Sequence, residues 1–494
     1  MAVDKPSLDY QKMLAKWELP VDLLGGTPAM RDKRTVWLPK EPNESDAAYE
    51  LRLNRTVLFN IYRQTVEQLV GNAFSRNIEV NNIPEELEYL EWNINGEGQS
   101  VTELASKLFH DALVFGKCHT YTDFPATDTS GMTYADYKAA DLKPYVMRVS
   151  PLNVIGWKHD YENGVETLRN VRIKDTVVEQ DDDYSEKYVS YVRVIEDDRI
   201  RVYRSEGGMA ALNITPATNR GSYELVSDYE NTLGKIPLLC SYANKKAPFV
   251  ADPTLDDLAW LNLLHYQSSS DQRNILHVAR VPFMLGVGFE DKELENITLA
   301  ASRMVLSTNK DAKISYVEHT GRAIEAGEKD LKNIEEQAAK SGANILFSKS
   351  VARQTAEARR IDRIESLNTV QTILRSIEQQ LEQAFILAAE WLDIDSDFDI
   401  SINIGTDLEM PHLPNPVEAI IKMQEMLNLS DEKLVEEIKR YKLISPHIKA
   451  SDVNLTKEPE PASNPFVPDA ENDEEEPNSR EDENNVNEER TTER

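Results

Sequence analysis

The string DIDSDFD at residues 393–399 places four carboxylates at alternating positions, which is how a calcium-binding loop begins. Such a loop also needs glycine at its sixth position and glutamate at its twelfth. Phe398 and Ile404 occupy those two positions instead. We therefore expect no calcium site here, and the sequence predicts no other metal site.

The short motifs of common catalytic and cofactor sites are also missing. The sequence contains no GxxxxGK[ST] phosphate loop, no HExxH, no paired CxxC and no GxSxG elbow, and its eight histidines are scattered. Without a phosphate loop the chain cannot be an ATP-driven motor by that mechanism. We expect a protein that is not an enzyme, with no catalytic residue and no cofactor.

One stretch does suggest a function. Phe347, Lys349 and Arg353 lie in an irregular segment at residues 345–354, between two predicted helices. Exposed basic side chains can contact phosphates, and each such contact is weak at physiological salt. An ordinary solvated loop is an equally good interpretation of these residues.

The helix before this loop is predicted from GEKDLKNIEEQAAKSGANIL, which has Leu331, Ile334 and Ala338 on one face and Gly342 near its end. After the loop, Thr355 is a suitable N-cap. Residues 355–392 contain no Pro or Gly, and at ~1.5 Å per residue they make a rod of roughly 57 Å. Apolar residues recur along it at alternating steps of three and four: Leu367, Val370, Leu374, Ile377, Leu381, Ala384, Ala388 and Trp391.

Composition limits the class of protein. The chain has 494 residues, 40% of them hydrophobic but only 7% aromatic, which favours several elongated modules over one large core. Its net charge is −31, and residues 457–494 hold 14 Asp or Glu against 4 Lys or Arg. A protein this acidic does not bind DNA through a broad basic face. We expect the acidic tail at 457–494 to be disordered, because it has too little apolar content to form a core.

The cysteine content and the hydropathy indicate the cellular compartment of the protein. Only Cys118 and Cys240 occur, and no charged-then-apolar leader opens the sequence, so we expect a reducing compartment. No uncharged apolar run approaches the ~18 residues of a membrane span, so we expect no membrane partner.

Along the chain, residues 1–44 are punctuated by proline and predict an extended arm with short helices. Helical spacing predicts one helix over residues 47–71, stopped by Gly71, and a second from Ser100 to Gly116. The segments that follow alternate apolar and polar residues and predict an antiparallel sheet.

A long helix is predicted over residues 254–280, with Asp252 as its cap and a buried side marked by Leu255, Leu258, Leu261, Leu264 and Ile275. We expect it to continue through the three serines 268–270, whose small side chains permit close packing. Residues 281–320 predict short strands around a small helix. The string FDISINIG predicts a strand, and residues 418–445 predict two short helices.

This order of elements resembles the portal proteins of tailed bacteriophages. Four blocks carry the resemblance: YELRLNRTVLFNIYRQTVEQLVGNAF, WNINGEGQSVTELASKLFHDALVFGKCHTYTDFP, LNLLHYQSSSDQRNILHVARVPF and GANILFSKSVARQTAEARRIDRIESLNTVQTI. They are similar to a portal family without an assigned function. The resemblance covers roughly residues 45–445.

The resemblance implies an α+β fold with portal architecture. Its parts would be an N-terminal arm (1–44), a wing of helices and antiparallel sheet (45–250), a stem helix (251–280), a clip (281–320), a second stem helix (321–344), a tunnel loop (345–354), a spine helix with further wing (355–410), a helical crown (411–456) and the tail (457–494).

It also implies a ring of twelve subunits at one capsid vertex, assembled in the host cytoplasm and retained in the virion. Double-stranded DNA would pass through the ring during packaging and ejection. Partners would be the terminase large subunit, a head–tail adaptor, and the major capsid and scaffolding proteins. In the channel, an acidic wall would repel DNA while the tunnel-loop residues Phe347, Lys349 and Arg353 make transient contacts.

A second hypothesis comes from the long apolar stripe alone. A coiled-coil scaffold or adaptor of a large assembly would use residues 367–391 to bind partner helices. The sheet-rich region before the helices argues against it.

Overall fold

The structure is a computed structural model, and it describes residues 3–125, 142–181, 184–206, 222–280, 283–287, 311, 313–317, 322–343, 356–394, 399–404 and 435. The chain divides into two units, Met1–Glu409 and Met410–Arg494. All the elements below belong to the first unit. Apart from Val435, the predicted crown at 411–456 and tail at 457–494 lie outside the described residues.

The described residues form both helices and antiparallel sheets, which confirms the α+β prediction. The α-helices are α1 (Leu8–Asp32), α2 (Asp46–Arg55), α3 (Ile61–Ala73), α4 (Val101–Phe115), α5 (Asp256–Ala279), α6 (Arg322–Ala343) and α7 (Ala356–Trp391). The strands are β1 (Glu79–Asn81), β2 (Lys117–Asp123), β3 (Tyr145–Val149), β4 (Val154–Glu162), β5 (Val165–Gln180), β6 (Glu186–Glu196), β7 (Arg199–Glu206), β8 (Glu224–Glu230), β9 (Leu238–Tyr242), β10 (Lys245–Ala247), β11 (Val250–Ala251), β12 (Phe283–Val287), β13 (Lys313–Val317) and β14 (Ser401–Asn403).

Helix α1 replaces the extended arm with short helices predicted for residues 1–44, so that prediction is wrong. The helix kinks at Gly26, whose φ of 75° favours glycine. The Trp17 indole is fully buried and donates a hydrogen bond to the Phe115 carbonyl at the end of α4, at 3.1 Å. Burial of this face against α4 outweighs the local helix-breaking effect of the prolines.

The prediction of a single helix over residues 47–71 is also wrong, because the structure has the separate helices α2 and α3. Thr56 follows α2, and its hydroxyl donates to a carbonyl one turn earlier. Asn60 caps α3 by accepting the amide hydrogen of the residue three positions on. Gly71 lies inside α3 and does not end it. Local side-chain caps therefore divide into two helices a stretch that hydrophobic spacing alone predicts as one continuous helix.

The helix predicted between Ser100 and Gly116 is confirmed as α4. The Ser100 hydroxyl accepts from the Glu103 amide at 3.2 Å. Gly116 ends the helix with a φ of 77°, and a β-carbon there would lie 1.9 Å from the Asp252 carbonyl oxygen. The backbone angle and the close approach both require glycine.

The predicted antiparallel sheet is confirmed. Five strands pair in the order β4-β5-β6-β7-β8. A smaller sheet in the order β3-β2-β9 lies deeper, and the first six residues of its central strand are all buried. Since α4 passes directly into β2 through Gly116, the helical core and the smaller sheet are built as one unit.

Helix α7 confirms the long helix predicted after the basic loop. Its 36 residues make a rod of roughly 54 Å. Of the predicted stripe residues whose side chains are described, Trp391 is half-buried and the others are buried: Val370, Leu374, Ile377, Leu381, Ala384 and Ala388. Helix α7 contacts strands β9 and β2 of the smaller sheet and helix α4.

One polar residue, Gln380, lies within this apolar contact. Its side-chain nitrogen donates to the Thr120 hydroxyl at 3.0 Å and to the Leu239 carbonyl at 3.2 Å. Its oxygen accepts from the Cys118 thiol at 3.4 Å. A buried amide is costly unless it is hydrogen-bonded, so this network fixes the position of α7 on the sheet.

The strand predicted in FDISINIG is confirmed as β14, which pairs antiparallel with β1. Helix α7 also holds it. The Glu378 carboxylate accepts from the Ile404 amide at 2.7 Å, and the Glu382 carboxylate accepts from the Ile402 amide at 3.0 Å. These charge-assisted bonds satisfy backbone donors at the edge of a short strand.

Lys117, the first residue of β2, is a fully buried cation. Its ammonium donates to the Phe249 carbonyl at 2.7 Å and lies 4.9 Å from the Trp157 ring and 5.6 Å from the Trp17 ring. These contacts offset only part of the free-energy cost of removing the ammonium group from water, so burial lowers the pKa of Lys117 to about 8.

Replacement of Lys117 by Met should therefore change how stability depends on pH. Between the folded-state pKa of about 8 and an unfolded value near ~10.4 the unfolded chain binds more protons, so Lys117 becomes less destabilising as pH rises. The difference in unfolding free energy between wild type and Lys117→Met should shift by up to about 3 kcal/mol in favour of wild type between pH 7 and 10.5. Urea denaturation of both proteins measures it, and a difference independent of pH would contradict the assignment.

Candidate functional site

Helices α5 and α6 form an antiparallel pair, which their contacts establish residue by residue. Gln272 donates to the Ile324 carbonyl at 2.9 Å, the Ser268 hydroxyl lies 3.4 Å from the Asp330 carboxylate, and His265 lies 3.2 Å from the Glu335 carboxylate. Residue numbers fall along α5 as they rise along α6. The two long helices therefore lie side by side in opposite directions.

The predicted continuity of the helix at 254–280 is confirmed by α5, which runs through all three serines. Asp252 does not cap it, since its carboxylate pairs with Lys16 at 2.6 Å and the helix begins at Asp256. Leu264 was predicted to be buried and is 45% exposed, so that prediction is wrong. Leu255 and Leu258 are buried as predicted.

Helix α5 is anchored to the helical core by polar contacts. Asn262 accepts from the Tyr62 amide and donates to the Phe59 carbonyl, both at 2.9 Å. Further along, Ser270 lies buried with its hydroxyl 2.8 Å from that of Thr56. These contacts tie α5 to the α2–α3 connection. They also explain why Leu264 is exposed, because the side of α5 that carries these polar residues faces the core.

The α5–α6 pair packs closely at Gly327. A β-carbon there would lie 2.0 Å from the Gln272 side-chain oxygen. Gln272, Ile334 and Ala338 are buried. The sequence analysis missed Gly327, although the signal was present: a glycine inside a helical pattern costs ~0.5–1 kcal/mol relative to alanine and usually has a packing reason.

Between α5 and α6 the chain forms the two-stranded hairpin β12–β13. Its register runs from Phe283 opposite Val317 to Val287 opposite Lys313. The strands predicted within 281–320 are confirmed to this extent. The small helix predicted there lies outside the described residues.

The exposed surface of α6 carries both signs of charge. The acidic residues are Glu325, Glu328, Asp330, Glu335 and Glu336, and the exposed lysines are Lys329, Lys332 and Lys340. If this helix lined a channel, its contribution to an acidic wall would be small.

The predicted site residues Phe347, Lys349 and Arg353 lie outside the described residues, as does the predicted cap Thr355. The helices on either side are described: α6 ends at Ala343 and α7 begins at Ala356. The described residues do not include most of the carboxylate string at 393–399. Across the described part of the chain, no group of three or more His, Cys, Asp or Glu side chains is placed to hold a metal ion.

Comparisons with known proteins match part of this region. Residues 254–392, less than half of the chain, match the model of a family described as a domain of unknown function (DUF4055). They include α5, the β12–β13 hairpin, α6 and α7. The search of curated proteins finds no match.

Among solved structures, the chain is similar at 12% identity to one described as the neck of an empty GTA particle computed with C6 symmetry, over 78% of this chain and 89% of that one, with a TM-score of 0.38. It is similar at 11% identity to one described as the virion of a native gene transfer agent (GTA) particle, over 76% and 89%, with a TM-score of 0.39. A third, the neck of a native GTA particle computed with C12 symmetry, has 10% identity over 76% and 89% and a TM-score of 0.38. Likeness at this level does not assign a function.

The helices of the described part of the chain lack the combination of length and apolar content that crossing a membrane requires.

Replacement of Gly327 by Ala should destabilise the protein, because the new methyl group displaces the buried Gln272 amide from its hydrogen bond to Ile324. The expected cost is about 1 kcal/mol after the helix-propensity gain of alanine is included. The matched control is Gly71→Ala in α3, where a β-carbon meets nothing within 4 Å and alanine should stabilise. Thermal unfolding compares the two variants.

A double-mutant cycle tests whether the cost of Gly327→Ala arises from the contact with Gln272. Gln272→Ala removes the group that the methyl displaces, so Gly327→Ala should cost less in that background than in wild type. An equal cost in both backgrounds would show that Gly327 is not required by the contact with Gln272.

Proposed function

We propose that this chain is a portal protein of a tailed-bacteriophage-like particle, a ring subunit through which double-stranded DNA is packaged and ejected. The observation that carries the proposal is the antiparallel pair α5–α6 with a β-hairpin at its far end, followed by the 36-residue helix α7. Two of the four sequence blocks that resemble portal proteins cover most of α5 and the first half of α7. The proposal places the ring at a capsid vertex of the virion.

In this proposal the α5–α6 pairs of neighbouring subunits surround the channel as the stem. The β12–β13 hairpin belongs to the clip, which would contact the terminase large subunit and later a head–tail adaptor. The sheets, α4 and α7 form the wing, which would face the major capsid and scaffolding proteins. The anchoring of α5 through Asn262 and Ser270 would keep the stem rigid while DNA moves past it.

The alternative function, a coiled-coil scaffold or adaptor, needs the α7 stripe to be free for partner helices. From Val370 to Ala388 the stripe is instead buried within the same chain, each of its apolar residues being at most 3% exposed, and α7 contacts β9, β2 and α4. A partner helix could bind there only by displacing these elements. This burial favours the portal proposal.

In the proposed ring, Lys349 and Arg353 of each subunit repeat around the axis as a collar in the tunnel loop. Transient phosphate contacts at this collar should help to fill the capsid or retain the DNA. Replacing both residues by Glu should leave ring and capsid assembly intact but lower the genome content per particle.

The matched control is Lys457→Glu with Arg480→Glu, which makes the same change of charge in the acidic tail and should leave DNA content unchanged. The measurement is the DNA content of purified particles. Normally filled particles from the loop variant would remove Lys349 and Arg353 from the mechanism, and failure of that variant to form rings would assign them to folding or subunit contact.

A further inference from the structure

A small basic pocket lies between α2 and the second half of α5. It is small and partly open to solvent. Its lining, which we call the arginine pocket, consists of Arg52, Arg55, Thr56, Ser270, Arg273 and Asn274. Its size suits a single small group rather than a drug-sized ligand, whose pockets are typically ~300–1,000 Å³.

The floor of the arginine pocket is a fixed polar network. Arg52 is only 4% exposed, forms a bidentate ion pair with Glu44 at 2.9 and 2.8 Å, and donates to the Pro39 carbonyl at 2.7 Å. Thr56 donates its hydroxyl hydrogen to the Arg52 carbonyl, so the 2.8 Å contact between hydroxyls is donated by Ser270. The Arg52 charge is therefore balanced, and the floor is held in place.

The rim carries positive charge without a matching carboxylate. Arg55 donates from Nε to the Leu51 carbonyl at 3.0 Å, and within the described part of the chain neither Arg55 nor Arg273 forms an ion pair. A second carboxylate, that of Asp271, is 60% exposed and lies 3.8 Å from Arg52. Arg55 and Arg273, neither in an ion pair among the described residues, thus line one pocket in a chain whose net charge is −31. An anion bound in the pocket would be attracted by both charges.

We propose that the arginine pocket binds a phosphate group, supplied either as free inorganic phosphate or by the backbone of DNA. Arg55 and Arg273 enter the lining from different helices, and each guanidinium can donate two parallel hydrogen bonds. A tetrahedral phosphate offers oxygens toward both, and the Asn274 amide can donate to a further oxygen. The acceptor sites of a carboxylate lie in one plane, whereas a tetrahedral phosphate can accept from donors that approach from several directions. The DNA source rests on the proposed function, whereas binding of inorganic phosphate does not.

The test uses the full-length protein and isothermal titration with inorganic phosphate at constant ionic strength. The pocket variant is Arg55→Gln with Arg273→Gln, two exposed positions whose replacement should leave the fold unchanged. The matched control is Arg63→Gln with Arg199→Gln, which removes the same charge from exposed arginines outside the pocket. Circular dichroism melts of all three proteins verify folding.

The dissociation constant for phosphate should rise at least tenfold in the pocket variant and stay unchanged in the control. No phosphate binding by wild type, an unchanged constant in the pocket variant, or an equal loss in the control would each overturn the proposal. If rings form but phosphate does not bind, the proposed function stands and this inference fails.

A second arm identifies the source of the phosphate by fluorescence anisotropy of a short DNA duplex. If the pocket takes a backbone phosphate, inorganic phosphate should compete with the duplex. The slope of log affinity against log salt should then fall by about 1–2 in the pocket variant. Equal duplex binding by wild type and pocket variant, together with the loss of inorganic phosphate binding, assigns the pocket to free phosphate.

Discussion

The contact between α7 and the β3-β2-β9 sheet is the interaction on which the rest of the structure depends. Its apolar stripe buries a row of Leu, Ile, Val and Ala side chains, each large one contributing roughly 1.5–3 kcal/mol. Gln380 also fixes where the helix lies on the sheet, because its hydrogen bonds to Thr120, Leu239 and Cys118 can form at only one position of α7 relative to the strands. The same helix holds β14 through Glu378 and Glu382. A single helix of roughly 54 Å therefore contacts both the β3-β2-β9 sheet and the β1–β14 pair.

The α5–α6 pair extends this organisation into the proposed stem. It depends on small residues where helices meet: Gly327 against Gln272 within the pair, and Ser270 against Thr56 at its attachment to the core. Larger side chains at these positions would separate the helices. Polar contacts across the pair at His265 and Ser268 set the register of α5 against α6.

The sequence was informative wherever one physical signal dominated. Ser100 and Gly116 marked α4, alternating Val, Ile and Tyr marked the large sheet, and the unbroken stripe marked α7. It misled where tertiary burial opposed local propensity, as in the proline-containing α1 fixed by Trp17, and where side-chain caps interrupted a helical pattern between α2 and α3. The arginine pocket could not be predicted, because Arg55 and Arg273 are more than 200 residues apart and only the fold brings them together. Leu264 shows the same limit, because hydrophobic spacing predicts an apolar stripe on a helix but does not predict which of its residues face the core.

Closed rings with an axial channel are the central claim, and negative-stain electron microscopy of the purified protein tests it most directly. Head-to-tail contacts between identical chains close when the rotation permits, so class averages should show annular particles with a central opening. A variant lacking residues 457–494 should give the same annuli, because that segment holds too little apolar content to form a core and its loss removes ten net negative charges. Monomers, dimers or rod-like particles over micromolar concentrations and varied salt would contradict the account.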